Sequence, residues 1–234
     1  RRMRIGEIAA HDAHAETWWD GSRYFLRMLA NQVHARMAYF DRIDTEWEGL
    51  NTLDLGCGGG FMAEALACRG ARVFGIDPWN KVLRVAHTHA RTQRLDIQYI
   101  AGAGELLPLD NDCMDRVVSV DVLEHVLDLH RVLAEIYRVL RPGGLFFFDT
   151  VNRTWAARLL VVHLLEDVLR IMPKGMHDPS RFIRPGELKF GLEKVGFRVA
   201  PMKGMGPVRF NRRFEPVFGL LPSTAIMYLG HATK

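Results

Sequence analysis

Short apolar runs recur along the first 150 residues, and each predicts a buried β-strand. The last run, 144–150, is apolar at nearly every position, which is typical of a strand covered on both faces. Segments with apolar residues at helical spacing separate the runs. The predicted strands cover 51–55, 72–76, 97–101, 115–120 and 144–150, and the predicted helices cover 60–69, 80–92, 129–140 and 186–195.

The alternation of strands and helices predicts an α/β fold with a doubly wound, mostly parallel sheet. Asp128 is placed to cap the third helix, and the run Arg141-Pro142-Gly143-Gly144 ends it. Residues 1–48 have helical spacing of apolar positions. We therefore divide the chain into an N-terminal helical lid, 1–48, and a main domain, 49–234, with a helical insertion at about 154–182.

A glycine-rich turn follows the first predicted strand. The strand Thr52-Leu53-Asp54-Leu55 runs into Gly56-Cys57-Gly58-Gly59-Gly60, and the next strand ends in Asp77. A carboxylate about 20 residues beyond such a turn is the spacing of a nucleotide-binding strand–helix–strand unit. Glycine lets the backbone approach a ligand closely, and Asp77 is placed to accept the hydroxyls of a ribose. The pattern therefore predicts an adenosine-containing cofactor.

The charges around this turn narrow the choice of cofactor. A dinucleotide fingerprint, G-x-G-x-x-G, presents a helix N-terminus to a pyrophosphate. Here the glycines are bunched, and two acidic residues, Asp54 and Glu64, flank them. Acidic residues suit a cation better than a pyrophosphate, and S-adenosylmethionine has a sulfonium but no phosphate. The turn resembles motif I of class I S-adenosylmethionine-dependent methyltransferases.

The composition argues against several classes of protein, but it does not by itself indicate a function. The chain has 234 residues, of which 48% are hydrophobic and 25% charged, and its formal net charge is +4. The densest basic run is Arg209-Phe210-Asn211-Arg212-Arg213, too sparse to predict nucleic-acid binding. Cys57, Cys68 and Cys113 lack metal-site spacing, which predicts reduced thiols and a cytoplasmic location. We see neither a secretory signal nor an apolar stretch long enough to cross a bilayer.

Polar residues cluster where the fourth predicted strand ends. Asp121, Glu124 and His125 follow that strand and should face the same crevice as Gly58 and Asp77. His125 could accept a proton from a hydroxyl nucleophile. Alternatively, the three side chains could hold a divalent cation such as Mg²⁺ if the turn is helical, or Glu124 and His125 could simply begin a short, packed helix.

Several further segments resemble the ubiquinone-biosynthesis O-methyltransferases, and the resemblance covers most of 10–195. It rests on Trp18-Trp19-Asp20, Leu123-Glu124-His125-Val126, Val151-Asn152-Arg153-Thr154, Pro173-Lys174-Gly175-Met176-His177-Asp178 and 182–188. The resemblance implies a Rossmann-like, seven-stranded sheet. It also implies transfer of a methyl group from S-adenosylmethionine to an aromatic, catechol-type hydroxyl of a hydrophobic small molecule, with S-adenosylhomocysteine as product.

The resemblance also assigns roles to residues. Arg36 would contact the methionine carboxylate, Val120 would lie beside the cofactor, and Asp77 with Pro78 would hold the ribose. Asp121, Glu124 and His125 match a pattern associated with metal dependence, with Asp121 where Glu is usual. Gly56, Cys57 and Gly58 would hold the methionine end, with Asp54 as a further cofactor-binding candidate. The loop of Ala103, Gly104 and Glu105 would touch the adenine through backbone groups and Glu105. Apart from the resemblance, the candidate catalytic residues are His125, Glu124 and, in reserve, His177.

The insertion at 154–172 has a wide apolar face. Such a face must pack against protein, a hydrophobic substrate or a bilayer surface, and the sequence does not decide among these three alternatives. In the family the insertion resembles a lid that admits a lipid-tailed acceptor, which implies a peripheral membrane contact. Trp18 and Trp19 either cover the cofactor or simply pack.

Two other functions stay open at this stage, because the match to the family fades past residue 200. One is methylation of a natural product or a tRNA, at another oxygen, nitrogen or carbon acceptor. The other is a non-catalytic assembly protein that binds S-adenosylmethionine, which would bind the cofactor without any methyl transfer.

Overall fold

The computed structural model describes residues 15–168 and 178–234, which form one nine-stranded sheet with helices on both faces. Five strands are parallel: β1 (Asn51–Leu55), β2 (Arg72–Asp77), β3 (Ile97–Ala101), β4 (Met114–Ser119) and β5 (Leu140–Val151). Four more are antiparallel: β6 (Arg198–Val199), β7 (Lys203–Phe210), β8 (Pro216–Leu221) and β9 (Met227–Thr233). The order is β3-β2-β1-β4-β5-β9-β7-β8, and β6 pairs with β9.

The helices confirm the doubly wound arrangement. They are α1 (Tyr24–Ile43), α2 (Phe61–Ala67), α3 (Asn80–Thr92), α4 (Leu129–Val139) and α5 (Pro185–Val195), with short 3-10 turns at Ala15–Thr17 and Pro179–Arg181. Helix α4 begins as expected, since the Asp128 side chain accepts a hydrogen bond from the Arg131 amide at 3.0 Å. It ends at Val139, directly before β5.

The apolar residues of β5 pack into two hydrophobic cores, one on each face of the sheet. Phe147 packs on Phe40 of α1, with ring centroids 4.6 Å apart, on one face of the sheet. Phe146 and Phe148 point to the other face, where Phe146 meets Phe197. Successive side chains of a strand alternate between faces, so a strand buried on both sides must be apolar throughout.

The expected count of seven strands is wrong. The additional strands lie at the carboxyl end, where β7 and β8 form an antiparallel hairpin that joins the sheet through β9. Glycines and prolines interrupt these strands at Gly204, Gly206, Pro207 and Gly219. Such residues are depleted in ordinary strands, so the local pattern did not predict this hairpin.

The insertion begins as a short α-helix, Trp155–Ala157, and continues as a π-helix, Arg158–Val168; we call both together the insertion helix. Trp155 and Leu159 are exposed, whereas Val161 is buried. Residues 169–172 of the predicted apolar face lie outside the described residues, as do Lys174 and His177. No helix in the described ranges is long and apolar enough to span a bilayer. The division at residue 48 stays a prediction.

Candidate active site

A cavity of about 540 Å³ opens at the carboxyl ends of the parallel strands. This is the edge of a doubly wound sheet at which ligands are expected to bind, and the volume suits a small molecule. Most of the predicted site residues line it. They are Arg36, Asp54, Gly56, Cys57, Gly58, Asp77, Pro78, Ala103, Gly104, Glu105, Val120, Asp121 and His125.

The glycine turn has the backbone geometry that its sequence predicts. Gly56 and Gly58 have φ angles of +74° and +49°, which L-residues with side chains rarely adopt. A Cβ on Gly56 would lie only 2.2 Å from a methyl group of Val122. Position 56 therefore requires glycine, and the residues of the turn line the cavity.

Asp54 is the most unusual group in this cavity. Its side chain is buried, and neither carboxylate oxygen has a partner at hydrogen-bond geometry among the described residues, although the Ala63 amide and the charge of Arg36 lie near enough to lower its pKa. Burial, together with the nearby Asp77, raises the pKa of Asp54 to about 7. Buried carboxylates are normally paired, so a cationic ligand would supply what this site lacks.

Asp77 ties the end of β2 to the glycine turn. Its Oδ2 accepts a hydrogen bond from the Gly58 amide at 3.0 Å, and its Oδ1 accepts one from the Trp79 amide at 3.0 Å. Burial raises the pKa of Asp77 to about 6. Each oxygen keeps a further lone pair, so the carboxylate can still accept the hydroxyls of a ribose.

Arg36 forms a buried ion-pair cluster beside Asp54. Its Nε donates to Asp149 and its Nη2 donates to Asp121, each at 2.5 Å, while Gln32 also accepts from Nη2. Burial opposes the charge of Arg36, but the two carboxylates outweigh it and raise its pKa further. Only Nη1 lacks a partner among the described residues, so a ligand carboxylate would have to bind there.

The adenine side of the cavity departs from the expected arrangement. Ala103 and Gly104 line it, as predicted. The carboxylate of Glu105, however, accepts hydrogen bonds from the amides of Leu127 and Asp128 at 2.8 and 3.4 Å, just before α4. Glu105 therefore holds the following loop in place, and adenine contacts on this side fall mainly to the backbone.

The structure does not support the predicted metal site at these three residues. Asp121 has a left-handed φ of +54° and turns its carboxylate to Arg36. The Glu124 side chain is 3% exposed, does not line the cavity, and accepts a hydrogen bond from Thr150. The three residues lie in a bend and a short turn rather than in the helix that the predicted metal site required. No group of three or more potential ligands occurs within the described part of the chain.

Of the candidate catalytic residues, the structure places one in the cavity. His125 lines it, while its backbone amide donates to the Val122 carbonyl at 2.8 Å. Glu124 lies behind the cavity wall, where burial and the charge of Asp121 raise its pKa. His177 falls outside the described residues.

The sequence did not identify Asp149, although it is a member of the Arg36 cluster. Asp149 is fully buried, and its Oδ1 accepts a hydrogen bond from the Asp121 amide at 2.8 Å. Burial raises its pKa, and the Arg36 charge opposes that rise. A signal was present, because a carboxylate that directly follows the apolar run Leu145-Phe146-Phe147-Phe148 needs a buried partner.

The far end of the cavity is apolar and is built by three separated segments. Helix α1, the β7–β8 hairpin and the insertion helix face one another there. Their lining side chains include Phe25, Met28, Leu29, Met205, Phe210, Phe218, Leu160, Val161 and Leu165. This end can therefore receive an apolar part of a ligand, at a distance from the acidic end.

Comparison with known proteins decides the family. Residues 53–148 match the model of a methyltransferase domain. A ubiquinone biosynthesis O-methyltransferase of Coxiella burnetii is 36% identical over 200 residues, covering 85% of this chain and 84% of the relative. One of Alkalilimnicola ehrlichii is 34% identical, covering 99% and 92%. The chain belongs to the ubiquinone biosynthesis O-methyltransferase family. The expected activity, S-adenosylmethionine-dependent O-methylation, is thereby confirmed over the alternatives.

Solved structures support the fold of this O-methyltransferase. A putative methyltransferase of Haloferax volcanii, solved with the Trm112 activator, has a TM-score of 0.69 at 21% identity, covering 100% of this chain and 99% of that one. An S-adenosylmethionine-dependent methyltransferase of Aquifex aeolicus has a TM-score of 0.62 at 16% identity, covering 85% and 88%. At such identities the likeness concerns the fold alone.

The O-methyltransferase covers its glycine turn with Trp18. A Cβ on Gly58 or Gly59 would lie 2.9 or 2.2 Å from this indole, so the close approach requires glycine. The indole Nε1 is buried without a partner among the described residues. The neighbouring Trp19 donates to the Gly59 carbonyl at 2.8 Å and stacks on His89 at 3.6 Å. Trp19 thus anchors the segment that carries Trp18 over the turn.

We expect Trp18→Ala to speed release of S-adenosylhomocysteine roughly tenfold, about 1.4 kcal/mol, because the buried indole would no longer cover the ligand. Stopped-flow fluorescence measures this rate. Trp155→Ala is the matched control, since Trp155 is 80% exposed on the insertion helix. Equal release rates in the two variants would show that Trp18 only packs.

Proposed function

We propose that this enzyme methylates a catechol-type hydroxyl of a hydrophobic small molecule. Its relatives are named ubiquinone biosynthesis O-methyltransferases, and an acceptor of this kind is consistent with that name. One observation carries the proposal: a single cavity joins an acidic end at Asp54 to an apolar end formed by α1 and the β7–β8 hairpin. The first suits a cationic methyl donor, and the second suits the apolar part of an acceptor.

The residues at the acidic end fit S-adenosylmethionine. Asp54 would bind the ammonium group, Nη1 of Arg36 the carboxylate, and Asp77 the ribose hydroxyls. When bound, the cofactor supplies a methyl group on a sulfonium, open to in-line displacement by an oxygen. The role of the protein is then to align the acceptor, exclude water and remove its proton.

His125 is the proposed general base. It lies on the cavity wall, in the turn that follows β4. An imidazole can accept a phenolic proton near neutral pH, and a base of this kind contributes about 10²–10⁴-fold to a rate. We propose no metal-assisted step, because Asp121 and Glu124 are engaged elsewhere.

The test is production of S-adenosylhomocysteine with a catechol that bears an isoprenoid tail. We expect turnover by the wild type and a kcat about 10²–10⁴-fold lower for His125→Gln, with cofactor affinity unchanged. His130→Gln is the control, since His130 is exposed on α4. Unchanged kcat in His125→Gln would remove His125 as the base, and no turnover with any catechol, despite cofactor binding, would point to another acceptor.

We further propose a cytoplasmic enzyme that works peripherally at a membrane, with the insertion helix in contact with lipid. The exposed Trp155 and Leu159 support this, since both lie beside cavity-lining residues of the same helix. The three cysteines are unpaired, as expected in a reducing compartment. We expect a Trp155→Ser variant to bind lipid vesicles more weakly than the wild type in co-sedimentation, and equal binding would argue against this contact.

A further inference from the structure

Arg36 carries one positive charge, but it contacts two carboxylates. Its Nε donates to Asp149 and its Nη2 donates to Asp121, each at 2.5 Å. The proposed function brings a third carboxylate to the same guanidinium, the one on the amino-acid end of S-adenosylmethionine. Carboxylates held this close together repel one another, and the repulsion is strong in a buried site. We therefore expect one of the protein's own carboxylates to give way when the ligand binds.

The guanidinium of Arg36 offers only half of a two-point contact to a ligand. A guanidinium binds a carboxylate most strongly through two parallel hydrogen bonds from neighbouring nitrogens. Because Asp149 occupies Nε, a ligand carboxylate can reach two nitrogens only as Nη1 and Nη2. Nη1 has no partner among the described residues, but Nη2 donates to Asp121 and, at 2.8 Å, to Gln32. A two-point contact with the ligand thus requires that one of these two acceptors leave Nη2.

Asp121 is the acceptor that can leave. Its side chain is 26% exposed and lines the cavity, so its carboxylate can turn away from Arg36 and still contact water. Asp149 is completely buried and has no such alternative. Gln32 is buried, lies one helical turn before Arg36 on α1, and is neutral, so it does not repel an incoming carboxylate. The exchange therefore takes place at Asp121.

The backbone at Asp121 is held in place, so only the side chain has to move. Its amide donates to Asp149 Oδ1 at 2.8 Å, and the next residue, Val122, lies against Gly56 of the glycine turn. Its φ of +54° is a conformation that aspartate and asparagine adopt more readily than most residues. A rotation of the Asp121 side chain therefore frees Nη2 without disturbing the turn beside it.

We propose that Asp121 occupies the position on Arg36 Nη2 that the carboxylate of the methyl donor takes, and that ligand binding displaces it. This exchange rests on the placement of the ligand carboxylate at Arg36 in the proposed function, but not on the identity of the acceptor. Asp121 then competes with every ligand that carries the amino-acid carboxylate and lowers its apparent affinity. S-adenosylhomocysteine keeps that carboxylate, so the same competition favours release of the product.

The experiment is isothermal titration calorimetry of the full chain with two ligands. S-adenosylhomocysteine carries the carboxylate, whereas 5′-methylthioadenosine shares the adenosine and the sulfur but lacks the amino-acid end. We expect Asp121→Asn to bind S-adenosylhomocysteine about tenfold more tightly than the wild type, because a neutral amide competes less for Arg36 and does not repel the ligand carboxylate. The affinity for 5′-methylthioadenosine should stay the same, because that ligand does not reach Arg36. Asparagine also tolerates the left-handed backbone.

Asp112→Asn is the matched control. Asp112 also has a left-handed φ, +50°, and its carboxylate pairs with Lys234 Nζ at 2.6 Å, but it does not line the cavity. This variant should bind both ligands like the wild type. Equal or weaker binding of S-adenosylhomocysteine by Asp121→Asn overturns the proposal, and weaker binding would mean that Asp121 contacts the ligand's ammonium group. An equal gain for both ligands overturns it too, because the carboxylate would not be the cause.

A crystal structure with S-adenosylhomocysteine separates the exchange from the proposed function. We expect the ligand carboxylate on Nη1 and Nη2 of Arg36, Asp121 turned away, and Asp149 still on Nε. A ligand carboxylate on Nη1 with Asp121 still on Nη2 overturns the exchange alone. A ligand carboxylate elsewhere in the cavity overturns its placement on Arg36, and the exchange with it.

Discussion

Arg36→Met is expected to lower the free energy of unfolding by about 3–5 kcal/mol, the usual cost of removing one partner from a buried ion pair. Asp149 is completely buried and would lose the cation that Arg36 now provides at 2.5 Å. Urea unfolding followed by circular dichroism measures the change. Without its partner, the buried carboxyl would bind a proton more readily, so the variant should regain stability as the pH falls.

Two controls isolate this effect. Arg69→Met breaks the Arg69–Asp41 pair, whose side chains are 34% and 36% exposed, and should cost under about 1 kcal/mol. Adding Asp149→Asn to Arg36→Met removes the orphaned charge and should restore part of the stability. Equal losses in Arg36→Met and Arg69→Met would mean that the buried cluster contributes no more than a surface pair.

Asp54→Asn should weaken binding of S-adenosylhomocysteine roughly 100-fold, about 2.7 kcal/mol, because the ligand's ammonium group loses its buried carboxylate. Isothermal titration calorimetry measures the affinity. The same variant should stabilise the ligand-free protein by about 1–2 kcal/mol at neutral pH, since it removes a buried charge without a partner. Asp96→Asn, at an exposed position on the loop before β3, serves as control.

The pH dependence of binding follows from the same carboxyl. Asp54 has a pKa of about 7, so it is increasingly protonated below that pH, and affinity should fall by up to tenfold per pH unit. Asp77, with a pKa of about 6, adds to the slope only below pH 6. Because the pKa of Asp54 is raised on folding, its contribution to ligand-free stability is lost as the pH rises from about 4 towards 7.

A flat affinity between pH 6 and 7 in the wild type would contradict this assignment. So would an Asp54→Asn variant that binds as tightly as the wild type or unfolds more easily without ligand. The two readouts oppose each other in sign, so a merely misfolded variant cannot imitate the expected result.

The parallel half of the fold was predictable because its central strands, β1 and β4, are largely buried on both faces. Strands β1 and β3 match the sequence-based ranges at both ends, and β2 and β4 differ by a residue. Continuous apolar runs bounded by glycine turns leave few other structures open. The antiparallel strands were not predicted, because their order in the sheet depends on pairing with β9, and no local sequence pattern encodes that pairing.

Site residues whose positions depend on the local backbone could be predicted from the sequence. Residues whose positions depend on ion pairs and hydrogen bonds with distant residues were harder to predict. The glycine turn and Asp77 follow from spacing. The orientation of the Asp121 side chain does not follow from spacing. It depends on the ion pair with Arg36, 85 residues earlier in the chain, and on a left-handed φ that redirects the side chain. Glu105 looked like an adenine ligand, but two amides before α4 engage its carboxylate first.

The wall of the cavity formed by α1 and the hairpin has a consequence for how the chain folds. The Arg27–Glu215 contact joins residues 188 positions apart, and the Tyr24 hydroxyl donates to the Phe214 carbonyl across 190. Contacts this distant close slowly, whereas the pairings of β1 with β2 and β2 with β3 join nearby segments. During synthesis the segments proposed to hold the methyl donor, which end by residue 151, can therefore pair before the hairpin proposed to hold the acceptor has been made.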